Sequence, residues 1–385
     1  MIEEMHTQVR EILGAEIDPI FFEVAALIDN KAVGGSKFLP WLLAYKYSAQ
    51  EVKTLCALPD ENWKPELGEL CVSQEFADKV GLDLYDIKDF LVRAYLGGEV
   101  KPDPVYGPSL QKDRIEWVDL QPNPYWAERL PRAYYECLNL YLATEMQPYM
   151  DKTIEAAKAA GKPTATARVI PRYDSVKDFP NLQPTENYKT VLMTRQKLTV
   201  QNCPCRFRVE EAHCDMHVCV EANKAATQLI NMGASRPYSW KETFDLVQAA
   251  GKRHPVLQTG RVGDTIENFS NILCNCDVRY CGIFKNYMRL ETPLAASDYV
   301  QKSRFRANVN PDICIRCGKC ISERCMFKAI KNIYDPVLGK EAYKVEESLC
   351  MGCGNCVETC PSGALKMIEV DPPEVLATTL ENKLY

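Results

Sequence analysis

The chain has 385 residues, of which 46% are hydrophobic and 25% charged, and its formal net charge is −6. This length predicts two or three domains with enough apolar residues for packed cores. The modest charge excludes a strong attraction to nucleic acid or anionic membranes, and no run approaches the ~18 apolar residues of a membrane span. The chain starts MIEEMHTQVREILGAEI, without a basic region before an apolar core. We therefore interpret its 18 cysteines as reduced metal ligands in a cytoplasmic protein.

Residues 1–120 are predicted to form a helical and winged-helix-like domain. A short helix should stop at Gly81, and a longer one should begin at the N-cap Asp83 and end at a Gly-Gly pair. Two extended runs follow, around Val100 and at 115–118, with a Gly-Pro turn between them. Helix, turn, helix and hairpin form the outline of a winged helix.

A winged helix raises the possibility of a DNA-binding redox sensor. The second helix carries Asp83, Asp86 and Asp89 against Lys88 and Arg93. A helix that enters the major groove should be basic, because neutralisation of phosphates supplies most of the affinity. We therefore favour a small packing module, with the sensor as an alternative.

Residues 121–185 are predicted to be a helical segment with an aromatic stripe, followed at 161–184 by a connecting arm rich in turn formers. Cys137 lies within the stripe and should be a small structural residue.

Residues 186–300 are predicted to be a cysteine-rich α/β middle domain. Its clearest helix should begin with a capping box of Ser239 and Glu242 and close at Gly251. Seven unligated thiols in one region would be improbable, so some of them should bind metal. They are Cys203, Cys205, Cys214, Cys219, Cys274, Cys276 and Cys281, and we call them the middle thiols.

The ligand sets of the middle thiols stay open. The first four are the simplest set for a further [4Fe-4S] cluster, and the last three could use a non-cysteine ligand or join a mixed set. Zinc is the main competitor, because three or four thiolates also suit a tetrahedral site. His213 and His217 flank the region and could serve as neutral imidazole ligands.

Residues 301–370 are predicted to be a two-cluster ferredoxin-like domain, with 371–385 as a tail. Four cysteines follow the pattern C-x2-C-x2-C-x4-C and four follow C-x2-C-x2-C-x3-C-P. The fourth cysteine of each run should ligate the cluster that the other run holds. The predicted sets are Cys314, Cys317, Cys320 and Cys360, which we call the first quartet, and Cys350, Cys353, Cys356 and Cys325, the second quartet. Zinc knuckles fit less well, since they use pairs of ligand pairs.

The segment 301–370 resembles bacterial two-cluster ferredoxins. The chain as a whole resembles 4Fe-4S dicluster proteins of anaerobic redox operons, which join a degenerate winged helix, a C-x-C-R…C…C segment, a C-N-C segment and a two-cluster ferredoxin. The matching residues upstream are Cys203, Cys205, Arg206, Cys214, Cys219, Cys274, Asn275, Cys276 and Cys281. The family often has a denser cysteine run after C-N-C, where this chain has Asp277, Arg279 and Tyr280.

These patterns predict an α+β protein that serves as the electron-transfer subunit of an anaerobic cytoplasmic oxidoreductase. Its partners should be other subunits of a redox complex, such as a flavin- or metal-containing oxidoreductase, or a soluble electron carrier. No dinucleotide motif, P-loop or haem-attachment motif occurs in the sequence. The alternatives are the sensor and a catalytic reductase with an open-sided cluster in the middle domain. Because Arg316 and Lys319 lie within the first run, the cluster of the first quartet should have the higher potential.

Overall fold

The computed structural model describes residues 16–28, 35–58, 72–103, 107–110, 123–162, 164–165, 167–209, 214–261, 271–282 and 294–377. Contacts divide the chain into two compact units. The N-terminal unit comprises Met1–Met150, Phe207–Glu210 and Tyr385, and the C-terminal unit comprises Asp151–Arg206 and Glu211–Leu384. Helices combined with mainly antiparallel sheets make the protein α+β, as predicted. None of the described helices combines the length and the apolar character that crossing a membrane requires.

The N-terminal unit is built from helices around one apolar core. Its described helices are α1 (Ile20–Ile28), α2 (Leu39–Ala44), α3 (Ala49–Cys56), α4 (Gln74–Val80), α5 (Leu84–Gly97), α6 (Pro124–Ala127) and α7 (Arg132–Tyr141), with a π-helical turn at Leu142–Met146. Helix α8 (Gln147–Ala159) continues from that turn. Cys137 is fully buried in the core, which agrees with a structural role.

The helix–turn–helix segment forms as predicted, but the hairpin has a different register. Asp83 caps α5 by accepting a hydrogen bond from Asp86 N at 2.9 Å, and Gly81 ends α4 in the left-handed region. Strand β1 (Val100–Asp103) pairs antiparallel with β2 (Gly107–Leu110). We predicted that residues 115–118 pair with β1, and this was wrong, because β2 is the partner. Residues 115–118 themselves lie outside the described residues. The Gly-Pro pair that we read as a turn lies in β2, where proline is tolerated because a two-stranded ribbon leaves one edge unpaired.

The surface of α5 does not offer free positive charge at Arg93. Its guanidinium pairs with Glu51 and, over one helical turn, with Asp89 at 2.9 Å. Together with Asp83 and Asp86, these contacts weigh against a role for this helix in a DNA groove.

The C-terminal unit contains, in its described part, a seven-stranded sheet of order β6-β4-β5-β8-β7-β3-β9. The strands are β3 (Ala167–Val169), β4 (Leu198–Asn202), β5 (His217–Ala222), β6 (Pro237–Tyr238), β7 (Leu257–Arg261), β8 (Ile272–Cys276) and β9 (Val300–Gln301). Every neighbouring pair is antiparallel except β3 and β9. This pattern corrects the predicted α/β middle domain, which would need a mainly parallel sheet.

Helices accompany this sheet. They are α9 (Tyr173–Val176), α10 (Tyr188–Met193), α11 (Pro204–Phe207), α12 (Asn223–Asn231), α13 (Trp240–Arg253) and α14 (Ala296–Tyr299), with a 3-10 turn at Pro184–Glu186. Helix α13 begins with the predicted capping box, in which Ser239 Oγ accepts from Glu242 N at 3.1 Å.

Two predictions about this unit were wrong. The segment 161–184 is no simple arm, because β3 pairs with β7 and β9 inside the sheet. Strand β3 has only three residues, all of them buried, and three residues are too few to show strand periodicity in the sequence. Gly251 does not close α13, which continues to Arg253. It is a contact position instead, since a Cβ there would lie 2.3 Å from Arg172 Cζ.

The ferredoxin-like segment adds four strands and short helical turns to the same unit. Strand β10 (Phe305–Val309) pairs antiparallel with β13 (Leu365–Glu369), and β11 (Ile330–Asp335) pairs with β12 (Lys340–Val345). A π-helical turn at Cys320–Arg324 and helix α15 (Asn355–Glu358) follow the cysteine loops, and a 3-10 turn occupies Pro373–Ala377.

Candidate metal centres

The first quartet lines one cavity. Cys314, Cys317, Cys320 and Cys360 all face a space of ≈ 390 Å³, measured with its solvent-open mouth. Cys314, Cys317 and Cys320 come from the loop after β10, and Cys360 comes from the turn after α15. The chain therefore brings the fourth cysteine of the second run to the first three cysteines of the first run.

The second quartet lines a neighbouring cavity of ≈ 360 Å³, again including its mouth. Cys325 follows the π-helical turn, and Cys350, Cys353 and Cys356 lie around the start of α15. Cys356 also contributes to the wall of the first cavity. The two cavities are thus separated by little more than one residue.

Backbone and side-chain N–H groups point at several of these sulfurs. Cys325 Sγ accepts from Ala329 N at 3.1 Å, and Cys353 Sγ accepts from Asn355 Nδ2 at 3.4 Å. Burial raises the pKa of Cys353 to about 12, although the backbone and side-chain N–H groups of Asn355 oppose the shift. At Cys360 the burial effect is outweighed by N–H groups of Leu365, Ser362 and Ala364, so its pKa lies below the ordinary value. Donors of this kind stabilise thiolate sulfur and fit a negatively charged cluster.

Glycine shapes the loop of the second quartet. Gly352 has φ +71 and Gly354 has φ +78, so both lie in the left-handed region. A Cβ on Gly352 would lie 2.2 Å from Phe305 O, and one on Gly354 would lie 2.2 Å from Ser175 Oγ. Only glycine allows this loop to approach its neighbours so closely.

The two cavities differ in their exposure. Beside the first cavity Cys317 is exposed, and the neighbouring Ile315 is 65% exposed. Beside the second, Met351 is 2% exposed and Cys350 and Cys356 are buried. The first cavity is therefore the more accessible of the two.

The positive charge predicted beside the first cavity is present but partly neutralised. Arg316 and Lys319 both line the cavity. Arg316 Nη2 lies 2.9 Å from Glu341 Oε2 in a half-exposed ion pair. Solvent and the Glu341 carboxylate therefore weaken the field of Arg316 at the cavity.

The middle thiols collect at one end of the seven-stranded sheet. Cys203 follows β4, Cys219 lies near the start of β5, Cys274 lies in the middle of β8, and Cys276 ends β8. The register of β5 and β8, Val220 opposite Leu273, brings Cys219 opposite Cys274, and these two thiols are within hydrogen-bonding distance. The structure thus joins thiols that the simplest sequence grouping had assigned to two separate sets.

Most of the other middle thiols are linked by contacts to this pair or to one another. Cys203 contacts Cys205, and Cys276 contacts Cys274. Cys281 Sγ lies 3.7 Å from Cys276 Sγ. Gly282 N donates to Cys205 Sγ at 3.3 Å, which brings the 203–205 segment to the 281–282 segment. Cys214 is half-buried and shares its electrostatic environment with Arg206 and Asp277.

Of the two histidine candidates, His217 does not join this group. His217 uses both ring nitrogens elsewhere, with Nδ1 3.3 Å from Asn202 Oδ1 and Nε2 3.0 Å from Tyr238 Oη. Burial and Arg236 lower the pKa of His217, so it is neutral at pH 7. It is therefore neither a free ligand nor a solvated surface residue, and His213 lies outside the described residues.

Zinc and cluster sites make different geometric demands. Among the residues that the structure describes, no group of three or more His, Cys, Asp or Glu side chains is arranged around the position of a single metal ion. The two quartets of the ferredoxin-like segment lack that arrangement as well, so it does not distinguish zinc from an iron–sulfur cluster.

The comparison with protein families gives one match. Residues 343–366 match the family described as 4Fe-4S binding domain. The C-terminal part of the chain is therefore ferredoxin-type, and the match supports at least one [4Fe-4S] cluster. Neither the curated proteins nor the solved structures contain a match to the chain.

The residues that hold the cavities in place were missed by sequence analysis. Arg172 pairs with Glu358 beside the second quartet, and Asn355 binds the backbone of Val256 through both of its amide atoms, with Nδ2 2.8 Å from Val256 O. Arg304 pairs with Glu186 at 2.8 Å, with both side chains fully buried. Arginines that join segments far apart in sequence leave no periodic signal.

Proposed function

We propose that the protein is an iron–sulfur electron-transfer protein with two [4Fe-4S] clusters, one on the first quartet and one on the second. The observation that carries this proposal is the pair of adjacent cavities, each lined by the four cysteines of one predicted set. When bound, such clusters exchange single electrons with little rearrangement of the protein. The chain's own residues supply thiolates, N–H donors and a rigid frame.

The frame includes contacts that two arginines of the ferredoxin-like segment make with other segments of the same unit. Arg304 donates to Glu186 from Nε at 3.0 Å and from Nη2 at 2.8 Å. Arg324 donates to the carbonyl oxygens of Gly251 and Lys252 at 3.1 and 2.6 Å. Such contacts hold the ferredoxin-like segment, and with it both quartets, against the rest of the unit.

The exposed side of the first cavity is the proposed docking point for a redox partner. Ile313 is 47% exposed and Ile315 65% exposed beside the exposed Cys317. Apolar side chains around an accessible redox site suit transient association with another protein. The partner would be another subunit of an anaerobic redox complex or a soluble electron carrier.

The compartment is proposed from the state of the cysteines. None of the cysteines that the structure describes forms a disulfide. So many cysteines without disulfides suit a reducing compartment, and we propose the cytoplasm.

Paired cysteine variants test the two quartets and their crossing. Cys320→Ser combined with Cys360→Ser removes two ligands of one proposed cluster, so iron should fall by about four per chain. Cys320→Ser combined with Cys325→Ser removes one ligand from each, so iron should fall by about eight. Iron and acid-labile sulfide are measured after anaerobic purification of the full chain, with Cys56→Ser as control. Equal losses from the two pairs, or zinc without sulfide, would contradict the proposal.

A further inference from the structure

Arg206 is a buried cation that forms no salt bridge among the described residues. It is 1% exposed, and its guanidinium donates to the main-chain oxygens of Asp215 and, at 2.6 Å, Asn275. Its Nε has no hydrogen-bond partner in the described structure. Neutral carbonyls do not offset the cost of burying a full positive charge, so an anion is expected nearby.

The carboxylate of Asp277 lies near Arg206 but is already engaged. Asp277 is 1% exposed, and Arg279 Nε donates to its Oδ1 at 2.9 Å. Arg279 also donates from its main-chain nitrogen to the same oxygen at 3.0 Å. The negative charge of Asp277 is therefore shared with a second guanidinium and leaves Arg206 undercompensated.

The groups that surround Arg206 are thiols. Cys203, Cys214 and Cys276 all contribute to its electrostatic environment. Two of them belong to the contact series at the sheet end, in which Cys203 contacts Cys205 and Cys276 contacts Cys274. Only as thiolates would these groups supply the missing negative charge, and metal binding is what holds buried cysteines in that form.

We propose that Cys203, Cys219, Cys274 and Cys276 hold a third iron–sulfur cluster, with Arg206 as its buried counter-cation. These four thiols lie on or directly after three adjacent strands, toward one end of the sheet, so the strand register fixes their positions. A cluster with four thiolate ligands carries net negative charge and complements the guanidinium. This proposal rests on the proposed function for the type of ligand, but not for the residues.

The site lies against the second quartet within the same unit. Cys274, Cys276, Met351 and Cys353 belong to one apolar cluster of side chains. Asn355 donates to Cys353 Sγ at 3.4 Å and to Val256 O at 2.8 Å. Val256 precedes Leu257, which pairs with Cys276. A cluster on the middle thiols would thus be the neighbour of the cluster on the second quartet.

The first test measures ligands. Anaerobically reconstituted full-length protein should contain about twelve iron per chain, against about eight if only the two quartets are loaded. Cys219→Ser and Cys274→Ser should each remove about four, and the double variant should remove the same four. Cys56→Ser, at an exposed cysteine, should remove none. Unchanged iron in the double variant, or zinc in place of iron and sulfide, would overturn the proposal. Failure of the proposed function would instead show as loss of the eight irons that depend on the quartets.

The second test keeps all ligands and changes the charge. Arg206→Gln should lower the reduction potential of the signal that Cys219→Ser abolishes, and Arg206→Lys should restore much of it, because Lys keeps the positive charge. Redox titration followed by electron paramagnetic resonance measures this. A merely structural arginine would not distinguish Gln from Lys in potential, and equal potentials in both variants would refute its role as counter-cation. If Cys219→Ser fails to fold, Cys274→Ser identifies the signal instead, and both Arg206 variants retain every thiol.

Discussion

Arg172 and Glu358 form a buried ion pair, with 2.7 Å between Arg172 Nε and Glu358 Oε2 and with 0% and 3% of their side chains exposed. Arg172 follows β3, and Glu358 ends the helix that carries Cys356. Arg172 N also donates to Cys353 O at 3.0 Å. One residue of the sheet segment therefore holds both the backbone and the helix of the second quartet.

Removing the acid of this pair should destabilise the C-terminal unit. Glu358→Ala leaves the buried guanidinium of Arg172 with two neutral acceptors, the carbonyl oxygens of Val247 and Gln248. We expect the free energy of unfolding to fall by about 3–5 kcal/mol, measured by urea denaturation under anaerobic conditions. Asp174→Ala, which breaks the exposed pair with Lys177, should cost less than about 1 kcal/mol. Similar losses in the two variants would contradict a structural role for the buried pair.

Gly352→Ala should prevent cluster assembly at the second quartet. The new Cβ would lie 2.2 Å from Phe305 O, a backbone atom that cannot move aside locally. Gly339→Ala is the matched control, because Gly339 has φ +60 but nothing within 4 Å of its Cβ position. It should cost only the left-handed strain of about 1–2 kcal/mol. Iron and sulfide content after purification distinguish the two, and full loading of Gly352→Ala would show that the loop can shift.

Charge beside the first cavity should tune its potential. Arg316→Gln with Lys319→Gln removes two positive charges from residues that line this cavity. Because reduction adds negative charge, the potential of this cluster should fall by tens of millivolts. Glu341→Gln releases Arg316 from its pair, so the same potential should rise. Redox titration measures whether the potential falls in the first variant and rises in the second. The cluster of the second quartet serves as internal reference. Shifts of one sign in both variants would argue against a charge effect.

A second buried pair should govern the stability of the N-terminal unit. Lys46 Nζ lies 2.7 Å from Glu99 Oε1, and Tyr47 Oη donates to Glu99 Oε2 at 2.6 Å. Burial lowers the pKa of Lys46, although Glu99 opposes the shift. Glu99→Ala should therefore cost about 3–5 kcal/mol, while Lys46→Met with Glu99→Leu should recover most of it, since no buried charge remains. Thermal unfolding of both variants tests this, and a double variant as unstable as the single one would count against it.

Spacing in the sequence predicted which cysteines of the C-terminal segment line the same cavity. That each quartet ligates a cluster stays a prediction. Cysteines two residues apart on a loop face one point, and a fourth cysteine a few residues later sits beyond a turn, so the crossed quartets follow from local geometry. Local rules also predicted the capping box at Ser239 and the N-cap at Asp83, because capping needs only residues three apart.

Tertiary structure alone decided the grouping of the middle thiols and the fixing of the cavities. Cys219 lies opposite Cys274 because of strand register across the sheet, and register depends on pairing between distant segments. Likewise, the partners of Arg172, Arg206 and Arg304 are set by which segments meet in the core. From the sequence alone, an arginine is expected to be a surface charge. Only the tertiary structure shows that an arginine is buried, where it holds the ferredoxin-like segment in place or requires an anion nearby.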